Sequence, residues 1–339
     1  MKVRVLPLQP HCFAFGGFEV QMLSAISAAQ ECGVDVQGQD VWSRESDFDI
    51  LHVWGLDIAQ KNAISWAKKA GKRIVVTALL PYISIPHRFY YFGSAIAGVV
   101  RMKKQLLDMV DTLVVVNELQ ALSAQVLLGC DKTKIRIIPN IIEPQYFASN
   151  IENLSPVTSL TDYVLCTGNV CNRKNQINLA HAAISGGYPL LIIGDVLQGE
   201  EQYGAALQQV INGHENIRWV KGVSSGSPGL VSAYSKCAAF ALPSFSEQQP
   251  ISALEAAAAG KPLLLGNRAY AKQKYYSNAY LVDPKSVSSI RCGLDRVMSH
   301  PAQFVPEQSF LFECTRARVG AAYRDVYLNL MSSGSSVIV

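Results

Sequence analysis

Ala239-Phe-Ala-Leu-Pro-Ser-Phe-Ser-Glu247-Gln-Gln-Pro-Ile-Ser-Ala-Leu-Glu255-Ala-Ala-Ala-Ala-Gly260-Lys-Pro262 reads as a strand, a turn and a helix in succession. Ala238 to Leu242 is a short apolar run closed by Pro243 and Ser244, which fits a buried strand. The alanine-rich run after Pro250 is a strong helix former that Gly260 and Pro262 stop. Glu247 therefore falls just past a strand, and Glu255 on the helix that follows. In open α/β sheets ligands bind outside the carboxyl ends of the strands, beside the helix N-termini. A carboxylate accepts hydrogen bonds on two oxygens and suits a vicinal diol, so a sugar or a ribose is the natural guest for two acids at that rim. The competing reading is a loop Glu and a surface helix Glu, since acids at helix starts are favoured by the dipole in any case.

The same alternation runs through the chain. Strands are expected at 3–6, 34–37, 49–53, 73–77, 112–116 and 135–138, and again at 163–167, 189–194, 217–220, 238–242, 262–265 and 279–282, with helical stretches between them. Strands alternating with helices imply parallel sheets covered by helices, an α/β class. The polar, aperiodic stretch 148–160 reads as a linker, giving an N-terminal Rossmann-like domain over 1–150 and a C-terminal one over 161–314. A cleft between two such domains is the default ligand site. Residues 315–330 read as a last helix packing back toward the N-domain, and 331–339 as a loose tail.

Composition narrows the function classes. The chain has 339 residues, 49% hydrophobic and 17% charged, a globular profile of two ordinary domains. Its net charge of +4 divides evenly, with 15 basic and 13 acidic residues in each of 1–150 and 151–339, so nucleic acid is not an indicated partner. Locally, residues 61–104 carry nine Lys or Arg and no acid, interleaved with aromatics such as Trp66 and Tyr90. That stretch suits an anionic surface, and peripheral contact with an anionic membrane is expected of it. The eight cysteines form no Cys-x-x-Cys pair, and neither His52 nor His181 has companions at ligand spacing, so a zinc site is not expected. With no signal peptide and no apolar run of membrane-spanning length, a cytoplasmic protein with reduced thiols is expected, peripheral at the inner face of the membrane.

Two further segments carry chemistry. Gly16-Gly17-Phe-Glu19 opens a helix after the first strand, where glycines let backbone N–H groups approach an anion; a flexible turn is the alternative. Neither Gly-x-Gly-x-x-Gly nor a Walker A string occurs, which removes most of the case for nicotinamide or P-loop chemistry. In the second half, strand 163–167 leads through Gly168-Asn-Val-Cys-Asn-Arg173-Lys174-Asn175 into a helix. Cations there suit a diphosphate, with Arg able to bind two oxygens and Lys supplying a point charge, although the helix dipole would favour acids at that place. Asp47-Phe-Asp49 has the letters of a metal-binding Asp-x-Asp, but it precedes a strand, at the wrong edge of a sheet.

Taken together, these segments resemble the retaining glycosyltransferases of family 4, which have the GT-B fold of two facing Rossmann-like domains with an interdomain cleft. Glu247 to Glu255 matches the E-x7-E motif, with Leu-Pro-Ser before it and Gly-Lys-Pro after it. Arg173-Lys174-Asn175 matches the phosphate-binding segment, Gly16-Gly17-Phe-Glu19 the N-domain glycine loop, 138–140 the close of the first domain and 281–284 a later strand, so the resemblance spans nearly the whole chain. It departs in four places. Gln248-Gln249-Pro250 replaces Gly-Phe-Gly, Leu79 stands where many relatives have His, Asn169 where many have Arg, and Ile141 where Gly is common.

The resemblance implies transfer of a sugar from a nucleotide-diphosphate sugar, UDP in preference to GDP, to a glycan or lipid-linked acceptor, with retention. A place in bacterial polysaccharide or glycoconjugate biosynthesis is implied as well. By position, the catalytic residues would be Glu247, Lys174 and Arg173. Glu255 would bind the ribose, Arg173 and Lys174 the diphosphate, Gln249, Pro250 and Ile251 the sugar with Glu247, and Gly16 and Gly17 the phosphates from the other domain. The transfer pictured for the family is front-face, through an oxocarbenium-like state, with no metal and no cofactor beyond the donor. The alternative, motivated by the departures, is a nucleotide-sugar binding or scaffold protein of the same fold without turnover.

Overall fold

The computed structural model describes residues 1–12, 15–83, 98–147 and 157–332. The chain forms two compact units, one of residues 1–141 with 316–339 and the other of residues 142–315. Most of the expected linker, 148–156, lies outside the described residues, as do the aromatics 89–92 of the basic stretch.

In the first unit six parallel strands, β1 (Lys2–Leu6), β2 (Asp35–Gly38), β3 (Ile50–Trp54), β4 (Arg73–Thr77), β5 (Thr112–Val115) and β6 (Ile135–Ile137), stand in the order β2-β1-β3-β4-β5-β6. The second unit repeats the plan with β7 (Val164–Thr167), β8 (Leu190–Ile193), β9 (Ile217–Val220), β10 (Ala239–Leu242), β11 (Leu263–Gly266) and β12 (Tyr280–Val282), ordered β12-β11-β10-β7-β8-β9. All twelve expected strands are present, each within one residue of its expected ends. They were legible because strands buried on both faces read as continuous apolar runs, as in the fully buried Leu-Leu-Ile-Ile of β8 and Ala-Phe-Ala-Leu of β10.

Strand order fixes where a ligand can sit. In the second unit the chain winds outward from β7 to β8 and β9, then returns to lay β10 on the other side of β7. Connections leave the adjacent β7 and β10 in opposite directions, which opens a crevice at their carboxyl ends, the switch point of a doubly wound sheet. In the first unit β1 and β3 adjoin in the same way.

The C-terminal helix Arg316–Ser332 belongs to the first unit and lies along the helix Gly17–Glu31. It buries Val319, Tyr323 and Tyr327 among Met22, Ala25 and Ala28. Contact is close at Gly320, where a Cβ would collide with the Ala28 carbonyl oxygen. Beneath it, the buried His52 of β3 joins Tyr327 Oη through Nδ1 and Thr77 Oγ1 through Nε2, both at 2.8 Å. Burial without an anionic partner drives its pKa down to about 3, so the ring is neutral.

Candidate functional site

The loop after β7 begins at Gly168, whose φ of +115° disfavours a side chain and whose added Cβ would meet Lys174 Nζ at 2.9 Å. A 3-10 turn, Asn172–Lys174, follows, and Asn175 then takes a left-handed conformation (φ +64°) before the helix Gln176–Gly186. Its side-chain amide donates to the carbonyls of Pro243 and Pro284, tying together the ends of β7, β10 and β12. The bend turns Lys174 back over Gly168 toward the loop after β10, where the Phe245 N–H donates to the Arg173 carbonyl at 2.9 Å.

Glu247 is the meeting point. Its carboxylate lies 2.6 Å from an Arg173 guanidinium nitrogen and 3.3 Å from Lys174 Nζ, and it accepts from Ser244 Oγ at 3.3 Å. Burial alone would raise its pKa, but Lys174 and Arg173 together outweigh burial and hold it below the usual carboxylate range. Lys174 and Glu247 are nearly buried, whereas the Arg173 side chain is 46% exposed. The pair is thus a buried ammonium and carboxylate with a more exposed guanidinium beside them, which also donates to the Ser246 carbonyl at 2.9 Å.

Glu255 has the opposite surroundings. It lies on the buried face of the helix Ile251–Ala258, and burial pushes its pKa up to about 7. The hydroxyls of Tyr234 and Tyr146 pull it down, while the charge of Glu143 pushes it up. The Tyr146 hydroxyl is buried beside the Glu255 carboxyl. Tyr234 Oη lies 2.5 Å from Thr167 Oγ1 at the end of β7, and the Tyr146 and Tyr234 rings meet edge to face at 5.3 Å.

The bulky replacement loop is pinned from below. Gln249 is buried and donates to Gln273 Oε1 at 3.1 Å, Gln273 donates back to the Gln248 carbonyl at 2.8 Å, and Tyr276 Oη donates to the Pro250 carbonyl. Pro250 caps the helix N-terminus, leaving the first-turn N–H of Ile251 without an intrahelical partner. Arg173, Lys174, Glu247, Glu255 and the Gln249–Ile251 backbone therefore gather at the ends of the adjoining β7 and β10.

Gly16 and Gly17 lie in the first unit, at the start of the helix Gly17–Glu31. There the Gly16 N–H already donates to Glu19 Oε2 at 2.9 Å, so the helix carries its own anion. Leu79 follows β4 and is 39% exposed. Asp47 pairs with the Lys2 ammonium at 2.5 Å and Asp49 accepts from the Lys2 N–H at 2.7 Å, at the amino ends of β1 and β3. Sequence reasoning did not find Tyr146, Tyr234 or Glu143. Nothing in their local sequence separates them from other core tyrosines and loop acids, and only the fold brings them to Glu255.

Residues 161–300 match the family model of glycosyl transferases group 1. No curated protein matches the chain significantly. Among solved structures it is similar to a glycosyltransferase from Rickettsia africae, with a TM-score of 0.72 at 13% identity over 97% of this chain and 98% of that one. HepE of Anabaena in complex with UDP gives 0.71 at 15% identity over 98% and 100%. Sucrose-phosphate synthase from Thermosynechococcus elongatus gives 0.70 at 15% identity over 99% and 100%. Residues 161–300 thus resemble a group 1 glycosyl transferase domain, and the chain has the GT-B fold.

Proposed function

We propose that this chain is a retaining glycosyltransferase that moves a sugar from a UDP-sugar to a glycan or lipid-linked acceptor, without a metal, in bacterial polysaccharide or glycoconjugate biosynthesis. The observation that carries this reading is the grouping of two cations and two carboxylates at the switch point between β7 and β10. HepE has been solved with UDP and with UDP-glucose, which supports UDP as the nucleotide.

Each group has a chemical task. The β-phosphate displaces Glu247 from Arg173, the more exposed cation, and lies against Lys174. As the glycosidic bond breaks, charge grows on that phosphate, and two preorganised cations stabilise it most in the transition state. Glu247, released on one oxygen, accepts hydroxyls of the sugar, and Glu255 receives the ribose diol. Because Gln249 is bonded to Gln273, the sugar meets the loop backbone and the Ile251 N–H at a helix N-terminus. Lys174→Ala should abolish transfer in a UDP-release assay with an acceptor extract; undiminished release would refute the assignment. Glu247→Gln, chosen to keep the volume, should lower kcat by about 10²-fold or more.

A scaffold without turnover is the second reading, favoured by the exposed Leu79 in place of His. Formation of any new glycosidic product disposes of it. For the basic stretch we propose contact with anionic lipid. Trp66 is 68% exposed with the Lys69 ammonium 4.7 Å over its ring, and the neighbouring helix Val99–Met109 presents Arg101 and Lys104. No described helix is long and apolar enough to cross a membrane. At about 1 kcal/mol per basic residue, such a cluster suffices for peripheral binding on the cytoplasmic face. Flotation with phosphatidylserine vesicles, lost at high salt, is the expected result, and no flotation at low salt contradicts it.

A further inference from the structure

Beneath the loop that follows β10 lies a third segment, not used so far. After β11 the chain reads Ala269-Tyr-Ala-Lys-Gln-Lys-Tyr-Tyr276 and folds into two 3-10 turns, Ala269–Lys272 and Lys274–Tyr276, with the extended Gln273 between them. Tyr270, Tyr275 and Tyr276 are buried and anchor it. Tyr270 Oη accepts from the Gly266 N–H at 3.1 Å and donates to the Leu242 carbonyl at 2.9 Å, so the segment is fastened to the ends of β10 and β11. The loop after β10 rests on this platform at three places. A Cβ on Gly266 would meet the Ser244 carbonyl oxygen at 2.5 Å, Gln273 holds Gln248 and Gln249, and Tyr276 Oη reaches the Pro250 carbonyl at 3.2 Å. The buried Gln273 amide is the centre of that contact. Its Nε2 donates to the Gln248 and Tyr270 carbonyls, both at 2.8 Å, and its Oε1 accepts from Gln249 Nε2 at 3.1 Å. Two carbonyls at one end mark that end as the NH2, so both donors of the amide are engaged.

We propose that this platform, with Gln273 as its positioning residue, sets which sugar of a nucleotide sugar the second unit accepts. The proposal rests on the reading of the Gln249–Ile251 backbone as the sugar contact. A loop that can move adapts to whichever hydroxyls a sugar presents, and it loses selectivity in doing so. Here the ring of Pro250 fixes one φ, the carbonyls of Gln248 and Pro250 are engaged from below, and the Gln249 amide is drawn down to Gln273. The loop therefore meets the sugar already ordered, and binding spends little further entropy on it. A fixed set of donors and acceptors rewards a hydroxyl in the matching place and is left unpaired against an epimer, which is the arrangement that discriminates most sharply. Gln273 acts through Gln248 and Gln249, without touching the sugar. The phosphates and the ribose fall to Arg173, Lys174 and Glu255, so the platform bears on the sugar and not on the nucleotide.

The test is calorimetric titration of the full chain with UDP, UDP-glucose, UDP-galactose and UDP-N-acetylglucosamine, on wild type, Gln273→Leu and Tyr276→Phe. The wild type should bind the best of the three donors about fivefold or more tightly than the weakest. Gln273→Leu keeps much of the side-chain volume and removes every bond of the amide. In it the spread among the three donors should shrink to about twofold or less, while affinity for UDP stays within about twofold of wild type. Tyr276→Phe deletes one hydroxyl and should narrow the spread in the same direction by a smaller factor, and it carries the test if Gln273→Leu does not fold. A merely structural role would weaken UDP and the three donors by one common factor and keep the spread. That result, a wild type that binds the three donors alike, or variants that keep the wild-type spread, overturns the proposal and leaves the nucleotide site standing. A wild type that binds neither UDP nor any of the donors overturns both.

Discussion

At the scale of single residues, the contrast between Glu247 and Glu255 has consequences for stability as well as binding. Glu255 ordinarily titrates near 4.5 and in the fold near 7, so its favourable contribution is whole below about pH 4.5 and is lost as pH rises through about 7. Glu255→Gln should therefore leave urea-unfolding stability nearly unchanged at low pH and raise it near pH 8, by about 1.4 kcal/mol for each tenfold difference in proton affinity between the folded and unfolded chain, while weakening UDP binding. A variant less stable than wild type at pH 8 would contradict this. His52 runs the other way. Its pKa is depressed, so its contribution is present above about 6.5 and is lost as pH falls toward about 3. His52→Gln should flatten the acid limb of the stability profile between about pH 6.5 and 4, and an unchanged limb would show that the ring is not buried neutral.

At the scale of elements, the turn from Gly168 to Asn175 and the C-terminal helix carry the geometry. Gly168→Ala forces a side chain into a left-handed backbone and against the Lys174 ammonium, so donor affinity should fall by about tenfold or more even if the fold survives. Wild-type affinity would mean that Lys174 does not set the phosphate site. Gly320→Val sets a side chain against the Ala28 carbonyl and should cost about 1–3 kcal/mol of stability, read by thermal melting, without altering nucleotide affinity. The strand, turn and helix around Glu247 were legible because Pro243, Pro250, Gly260 and Pro262 punctuate it, and Arg173-Lys174-Asn175 because two cations before a helix are locally unfavourable and so ask for a reason. The ring of Tyr146, Tyr234 and Glu143 was not legible. A buried tyrosine looks the same in sequence whether it fills a core or attends a carboxyl. The two Gly16 and Gly17 amides look open to an anion in sequence, but in the fold Glu19 closes on the first of them.

At the scale of the whole molecule, the parallel α/β plan follows from the alternation of apolar strands and helices, but the placing of β10 beside β7 does not. That neighbour relation crosses the full winding of β8 and β9, and it makes one crevice from two loops far apart in the chain. Identities of 13–15% to the similar structures show how little sequence this fold needs in common. In this chain the plan rests on the apolar run of each strand and on turn residues such as Gly168 and Asn175. The central claim is that the crevice of the second unit holds a nucleoside diphosphate through Lys174 and Arg173. Calorimetric titration with UDP at about pH 8, on wild type and Lys174→Ala side by side, tests it most directly. Saturable binding to the wild type and affinity lowered by about tenfold or more in the variant are expected, the loss of one charged hydrogen bond being worth about 1.5–3 kcal/mol. A wild type that does not bind UDP, or a variant that binds it equally well, would contradict the claim.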